Sequence, residues 1–244
     1  MTSLRIALAA RVAFAASLVI LGAHALVTHG IGGVWGPVPH FVPAQAALPW
    51  LIGALVVACG LGLPWRRTTS AAARVLLAWL LLWLVLARLV EAAMAPAVEG
   101  YWSGCGETLV PAAAAWMLIA RDDERGRIVA RVLYGLALIP FGIAHFVYLK
   151  ETASLVPAWL PAPRAWAMLT GGAYLAAAAA LLAGMCARLA AALVAFQIGA
   201  FTALVWLPVL AAGHADASSW SESVISLMLT AAACVIAQGV PRRA

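Results

Sequence analysis

Apolar positions along this chain neither alternate nor form a single stripe; they fill whole runs. Eight runs stand out, at residues 5–27, 46–64, 71–95, 107–120, 128–148, 165–184, 187–209 and 220–239. A helix needs about 20 apolar residues to cross the hydrocarbon of a bilayer, and an evenly greasy run of that length predicts a spanning helix. The breaks between runs are mostly short, which predicts antiparallel neighbours packed as a bundle. The pattern predicts an all-α integral membrane protein of eight transmembrane helices.

Composition points the same way. Of 244 residues 66% are hydrophobic and only 10% are charged, against about 25% charged in soluble domains. So few charges cannot cover a water-facing surface. The net charge of +6 does not signal nucleic acid, because the basic residues lie between runs and form no patch. It reports orientation instead. Arg5, Arg11, Arg66, Arg67, Arg74, Arg121, Arg125, Arg127, Arg131, Arg188, Arg242 and Arg243 fall on one side, Lys150 and Arg164 on the other, and Arg88 lies inside a run. The positive-inside rule then makes both termini cytoplasmic in a bacterial inner membrane. The opposite loops receive the aromatic and acidic residues Trp35, Glu99, Tyr101, Trp102, Glu107, Glu151, Trp159, Asp216, Trp220 and Glu222. Arg5, Arg11 and Ala23-His24-Ala25 around the first run resemble a cleavable leader, but that run has a counterpart inside the chain.

The counterpart belongs to an internal repeat. Arg11-Val12 returns as Arg131-Val132 and Gly22 as Gly142, both 120 residues later. Val42-Pro43-Ala44 returns as Val156-Pro157-Ala158, each ahead of a proline and a tryptophan, Trp50 and Trp166. Gly53 returns as Gly171 and Trp102-Ser103 as Trp220-Ser221. The order never breaks. Four spans is an even number, so the copies share an orientation. They are expected as two tandem parallel four-helix repeats about an axis along the membrane normal. Residues 1–120 form the first, 121–127 a hydrophilic cytoplasmic linker and 128–244 the second. Pro140 is expected to kink the fifth span.

Ionisable groups inside a bilayer are costly and tend to face a bundle interior. Taking 1.5 Å per residue, Arg88 lies about 10 Å and Glu91 about 6 Å below the outer end of the third span. Three residues apart, they can pair on one helix face. His24 and His145 lie near the outer ends of the first and fifth spans. Tyr174, with Thr170 and Gln197, lies deeper in the second repeat. The functional reading is a polar pocket of His24, Arg88, Glu91, His145 and Tyr174 open to the outside, able to move protons; the plain reading is a structural ion pair with interfacial histidines. Haem is disfavoured, because His24 and His145 fall one residue, about 100°, out of register. His24 and His29 share no face, and His40 and His214 are loop residues, so no metal site is expected. Cys59, Cys105, Cys186 and Cys234 form no CxxC and no expected disulfide. Gly104-Cys105-Gly106 reads as a flexible loop tip carrying a spectator thiol. No phosphate-binding loop, dinucleotide fingerprint or nucleophile elbow is present.

The second half resembles the DoxX family of four-span membrane proteins. The matching stretches are Arg131-Val132-Leu133-Tyr134-Gly135, Gly142-Ile143-Ala144-His145-Phe146, Leu155-Val156-Pro157-Ala158-Trp159-Leu160-Pro161 and Trp166-Ala167-Met168-Leu169-Thr170-Gly171, continuing to Arg188. They cover roughly residues 128–210, and the first half carries a fainter copy. The resemblance implies a four-helix membrane bundle, here duplicated, associated with redox systems, quinone and a membrane or periplasmic redox partner. The family's lone basic residue at the end of its first span is matched by His145. Its glutamate after the glycine of the second span is replaced by Tyr174, and by Val56 in the first copy, which weakens transfer of a proton-handling role. The leading expectation is the membrane subunit of a redox or quinone-linked system. The alternatives are a small-molecule or lipid carrier, or a non-catalytic scaffold for a partner enzyme.

Overall fold

The computed structural model describes residues 2–30, 38, 42, 44–213 and 216–240. Trp35, His40, Pro43, His214, Arg242 and Arg243, named above, lie outside them. The described residues are helical, without strands. The main helices are α1 (Thr2–Thr28), α2 (Leu48–Gly62), α3 (Thr69–Met94), α4 (Glu99–Ile119), α5 (Glu124–Val147), α6 (Pro163–Ala183), α7 (Ala187–Ala211) and α8 (Ala217–Gly239). A six-residue helix, Leu149–Ser154, lies between α5 and α6.

Seven of these segments are long and apolar enough to cross a membrane; α4 is the exception. Its sequence carries Glu99, Glu107 and three glycines, yet it is 21 residues long, or about 30 Å at 1.5 Å per residue. It packs against α3, α5 and α8, and Ala112, Ala113, Ala114 and Ala115 are fully buried. A helix enclosed by its neighbours needs no apolar coat. The outer helices instead expose Leu51, Leu61, Leu82, Leu86, Leu193 and Phe196. An exterior this apolar suits lipid and not water. Exposed Trp50, Trp65, Trp102, Trp159 and Trp166 sit at or next to helix ends, where amphipathic rings mark the two rims of a bilayer.

The packing order of the second four helices repeats that of the first. α1 packs on α2 as α5 packs on α6, α2 on α3 as α6 on α7, and α3 on α4 as α7 on α8. The halves interlock: α4 packs on α5, α8 packs on α1, and α4 meets α8. One core runs through both halves. Local geometry recurs as well. Gly22 crosses Gly53, and a Cβ on Gly22 would stand 2.7 Å from the Gly53 carbonyl oxygen; a Cβ on Gly142 would stand 3.0 Å from that of Gly171. These two crossings bring backbones into contact through small residues, which is how helices associate where no water drives them together. α3 and α7 each widen into a π-bulge, Leu84–Arg88 and Thr202–Trp206, after fifteen residues of α-helix. Ala44 and Ala162 share a left-handed backbone, φ 54° and 55°. They lie 118 residues apart, the spacing of Gly53 and Gly171, so Ala44 pairs with Ala162 in the structure and not with Ala158.

Two boundaries differ from the sequence expectation. The linker is shorter, because Asp123 caps α5 by accepting from the Arg125 and Gly126 N–H groups at 3.1 and 3.0 Å; Arg125 to Arg127 are the first turn of α5. The fourth helix begins eight residues earlier than residue 107. Gly104-Cys105-Gly106 is therefore helical and no loop tip, and Cys105 is buried. Tyr101, Trp102, Glu99 and Glu107 likewise lie on α4, and Trp220 and Glu222 on α8. α5 is one continuous helix, Glu124–Val147, with Pro140 inside it.

Candidate functional site

The bulge of α3 sets Arg88 toward α4. Its side chain is 5% exposed and that of Glu91 12%, with Nη1 3.2 Å from Glu91 Oε2. The guanidinium lies over Gly104, where a Cβ would come within 3.6 Å of Cζ and Nε. A Cβ there would make ordinary van der Waals contact, so Gly104 faces the charged group without being required by it. Three further carboxylates gather here. Glu107 is within electrostatic reach of Arg88, Glu99 and Glu222, and Cys105 within reach of Arg88 and Glu91. Glu99, 7% exposed, opens α4; its Oε1 accepts from Ser103 Oγ at 2.7 Å. Its Oε2 is buried and has no hydrogen-bond partner among the described residues. A buried carboxylate oxygen without a donor is costly, and a proton, a water or a ligand donor placed there removes the cost. Among the described residues no group of three His, Cys, Asp or Glu side chains is arranged to hold a metal ion.

The other sequence-predicted groups sit on other helix pairs. His24 of α1 stacks on Trp220 of α8, ring centroids 4.2 Å apart and 20° from parallel. His145 of α5 places Nδ1 2.7 Å from the Phe141 carbonyl and its ring 5.3 Å from that of Tyr174 on α6. Gln197 of α7 donates to the Thr170 carbonyl at 3.2 Å and bonds Tyr174. Thus Arg88 is brought to Glu91, and His145 to Tyr174, while His24 has an aromatic partner of its own.

Sequence reasoning passed over three features. Glu99 and Glu107 read from the sequence as loop residues, because the polar start of α4 breaks the apolar run. Tyr134 was read only as a landmark; it is fully buried, its hydroxyl has no partner among the described residues, and it lies within electrostatic reach of Tyr174 and Cys234. Thr202, in the bulge of α7, meets the Ser226 and Thr230 hydroxyls at 2.7 and 3.2 Å. The repeat could have flagged Tyr134, because the equivalent residue 120 positions earlier is Phe14.

Fold and polar groups together define an all-helical chain compatible with a multi-pass membrane protein, with its buried ion pair near one end. A family model described as a domain of unknown function (DUF8561) matches residues 134–239, from the middle of α5 to the end of α8. No curated protein and no solved structure matches the chain.

Proposed function

We propose that the chain is a DoxX-like, eight-span membrane protein of two tandem four-helix repeats. In this reading it is the membrane subunit of a quinone-linked redox system. The observation that carries the proposal is the assembly of Arg88, Glu91, Glu99 and Glu107 where α3 meets α4. A quinone headgroup needs donors for its carbonyls, and its reduced form needs acceptors for its hydroxyls. Arg88 supplies the donors; Glu91 and the unpartnered Oε2 of Glu99 supply the acceptors. Oxidation of a quinol releases two protons and two electrons. The carboxylates take the protons, and a partner enzyme takes the electrons. The arginine-rich end faces the cytoplasm and the Glu99 end faces outward, in a bacterial inner membrane.

The test is solvent extraction of the purified protein for bound quinone, with titration of a short-chain quinone against intrinsic tryptophan fluorescence. Binding is expected, weakened about tenfold or more in Glu91→Gln and in Glu99→Gln, the scale of a lost charge-assisted hydrogen bond. Absence of extractable quinone together with no fluorescence response in the wild-type protein sinks the reading. Orientation is checked at Cys186, exposed at the α6–α7 turn: an impermeant thiol reagent must label it only from the cytoplasmic face.

One observation favours a carrier instead: Tyr134, Tyr174 and Gln197 gather in the middle of the second four helices. Solute uptake into vesicles that is lost in Tyr134→Phe would support that reading over the redox one.

A further inference from the structure

At the arginine-rich end, three segments of the first four helices converge. Arg11 of α1 donates from Nη2 to the Pro64 carbonyl just beyond α2, at 3.1 Å. Arg66 follows two residues later. Arg121 follows the end of α4, which reaches α1 through α8, the helix packed on both. Arg11 lies within electrostatic reach of Arg66 and Arg121. Its Nε is buried and has no partner among the described residues. No carboxylate among them pairs with any of the three arginines. Asp122 and Asp123 directly follow Arg121 in the sequence; Asp122 is exposed and forms no ion pair with the three, and Asp123 accepts at both oxygens in capping α5.

The second four helices carry a different pattern at the equivalent positions. Arg131 stands 120 residues after Arg11 and lies against the left-handed Gly184 that ends α6. Gly184 and Gly239 stand 118 residues after Arg66 and Arg121. In the register of the two halves, the described residues thus match Arg66 and Arg121 with glycine. Three guanidiniums held together without an anion repel one another, and a phosphate removes that repulsion while meeting their planar donors.

We propose that Arg11, Arg66 and Arg121 form a binding site for a phosphate group, that of an anionic phospholipid in the leaflet at this end. Basic pockets between helices at this face recognise such headgroups. The site is independent of the quinone reading, lies at the opposite end of the molecule, and stands or falls separately.

The test uses the full chain in neutral detergent and reads its melting temperature as phosphatidylglycerol, phosphatidylcholine or inorganic phosphate is titrated in. Phosphatidylglycerol is expected to protect, and phosphatidylcholine not. In Arg66→Gln/Arg121→Gln, which leaves the Arg11 bond to Pro64 intact, the protecting concentration should rise about tenfold or more. In Arg74→Gln/Arg188→Gln, which removes the same charge elsewhere, it should change less than about twofold. Protection by inorganic phosphate with the same dependence on the variants supports the site and makes free phosphate its source. Equal losses in the two double variants, or equal protection by the two lipids, overturns it.

Discussion

Where the second four helices place Tyr134, Tyr174, Gln197 and Cys234, the first four place Phe14, Val56, Trp79 and Trp116, each 120 or 118 residues earlier. Phe14 and Val56 are fully buried, so the two interiors differ in kind: carbon and indole in one, hydroxyl, amide and thiol in the other. The bulges differ as well. That of α3 carries Arg88, with Glu91 just beyond it; the same positions of α7 hold Trp206 and Val209. The bulge of α7 instead carries Thr202, bonded to Ser226 across the helix pair. Gly104, which lies against Arg88, corresponds to Glu222. A common frame of glycine crossings and bulges thus supports charge near one end of the first four helices and neutral polar groups within the second. The frame is set by close packing at a few backbone contacts, which leaves the remaining interior positions free to diverge.

The largest test of this contrast is Glu91→Ala. Removing one partner of a buried ion pair leaves the other charge desolvated, a loss of about 3–5 kcal/mol. The equivalent Val209→Ala should cost about 1 kcal/mol or less, since Val209 is only partly buried and loses little surface. Unfolding in mixed detergent micelles measures both, and equal losses would show that charge is not what distinguishes the two bulged helices.

Next come the glycine crossings. A leucine at Gly53 would press on the Gly22 carbonyl and on Leu26; at Gly171 it would press on His145 and the Gly142 carbonyl. Each should lose about 1–3 kcal/mol by overpacking, and by similar amounts. A large loss in one half only would break the idea of a common frame.

The interiors are probed by exchanging one oxygen. Phe14→Tyr buries a hydroxyl among carbon and should cost about 1–3 kcal/mol. Tyr134→Phe removes a hydroxyl that has no partner among the described residues and should be neutral or stabilising, by up to about 1 kcal/mol. A clear loss of stability in Tyr134→Phe would mean that its hydroxyl is satisfied after all.

The smallest effect is at the start of α8. Asp216 accepts from the Ser219 N–H at 2.7 Å, which holds its carboxyl below the usual range. The corresponding residue ahead of α4 is Val98, which makes no side-chain cap. A depressed folded pKa adds stability that is present at neutral pH and is lost as pH falls through it. The advantage of wild type over Asp216→Ala should therefore be slight near neutrality and vanish in acid. A difference that grows on acidification contradicts the sign.

Much of the frame was legible because bilayer thickness fixes run length. Seven predicted runs coincide with helices apolar enough to cross, and the landmarks Gly22, Gly53, Gly142 and Gly171 fall at the crossings. The start of α4 was not legible, since a helix enclosed by protein need not be apolar and Glu99 to Glu107 read as a loop. The Arg88–Glu91 pair was legible from its spacing alone. The partners of His24 and His145 were not. In a water-soluble helix polar positions mark the outer face, but here exposed and core-facing positions are both largely apolar, and the rotation of each helix leaves little trace in the pattern.

The sequence by itself determined how apolar the chain is, the approximate length and order of its helices, and which pair of opposite charges could meet, because each follows from composition or from separations within a single helix. Only the tertiary structure decided that α4 and α8 meet and tie the halves together, that Trp220 receives His24, that Glu99 buries an unpartnered oxygen and that Arg11, of the arginines the sequence puts at one end, bonds the Pro64 carbonyl. Those are contacts between helices, and they depend on rotations and crossings that uniform greasiness leaves open until close packing selects one arrangement.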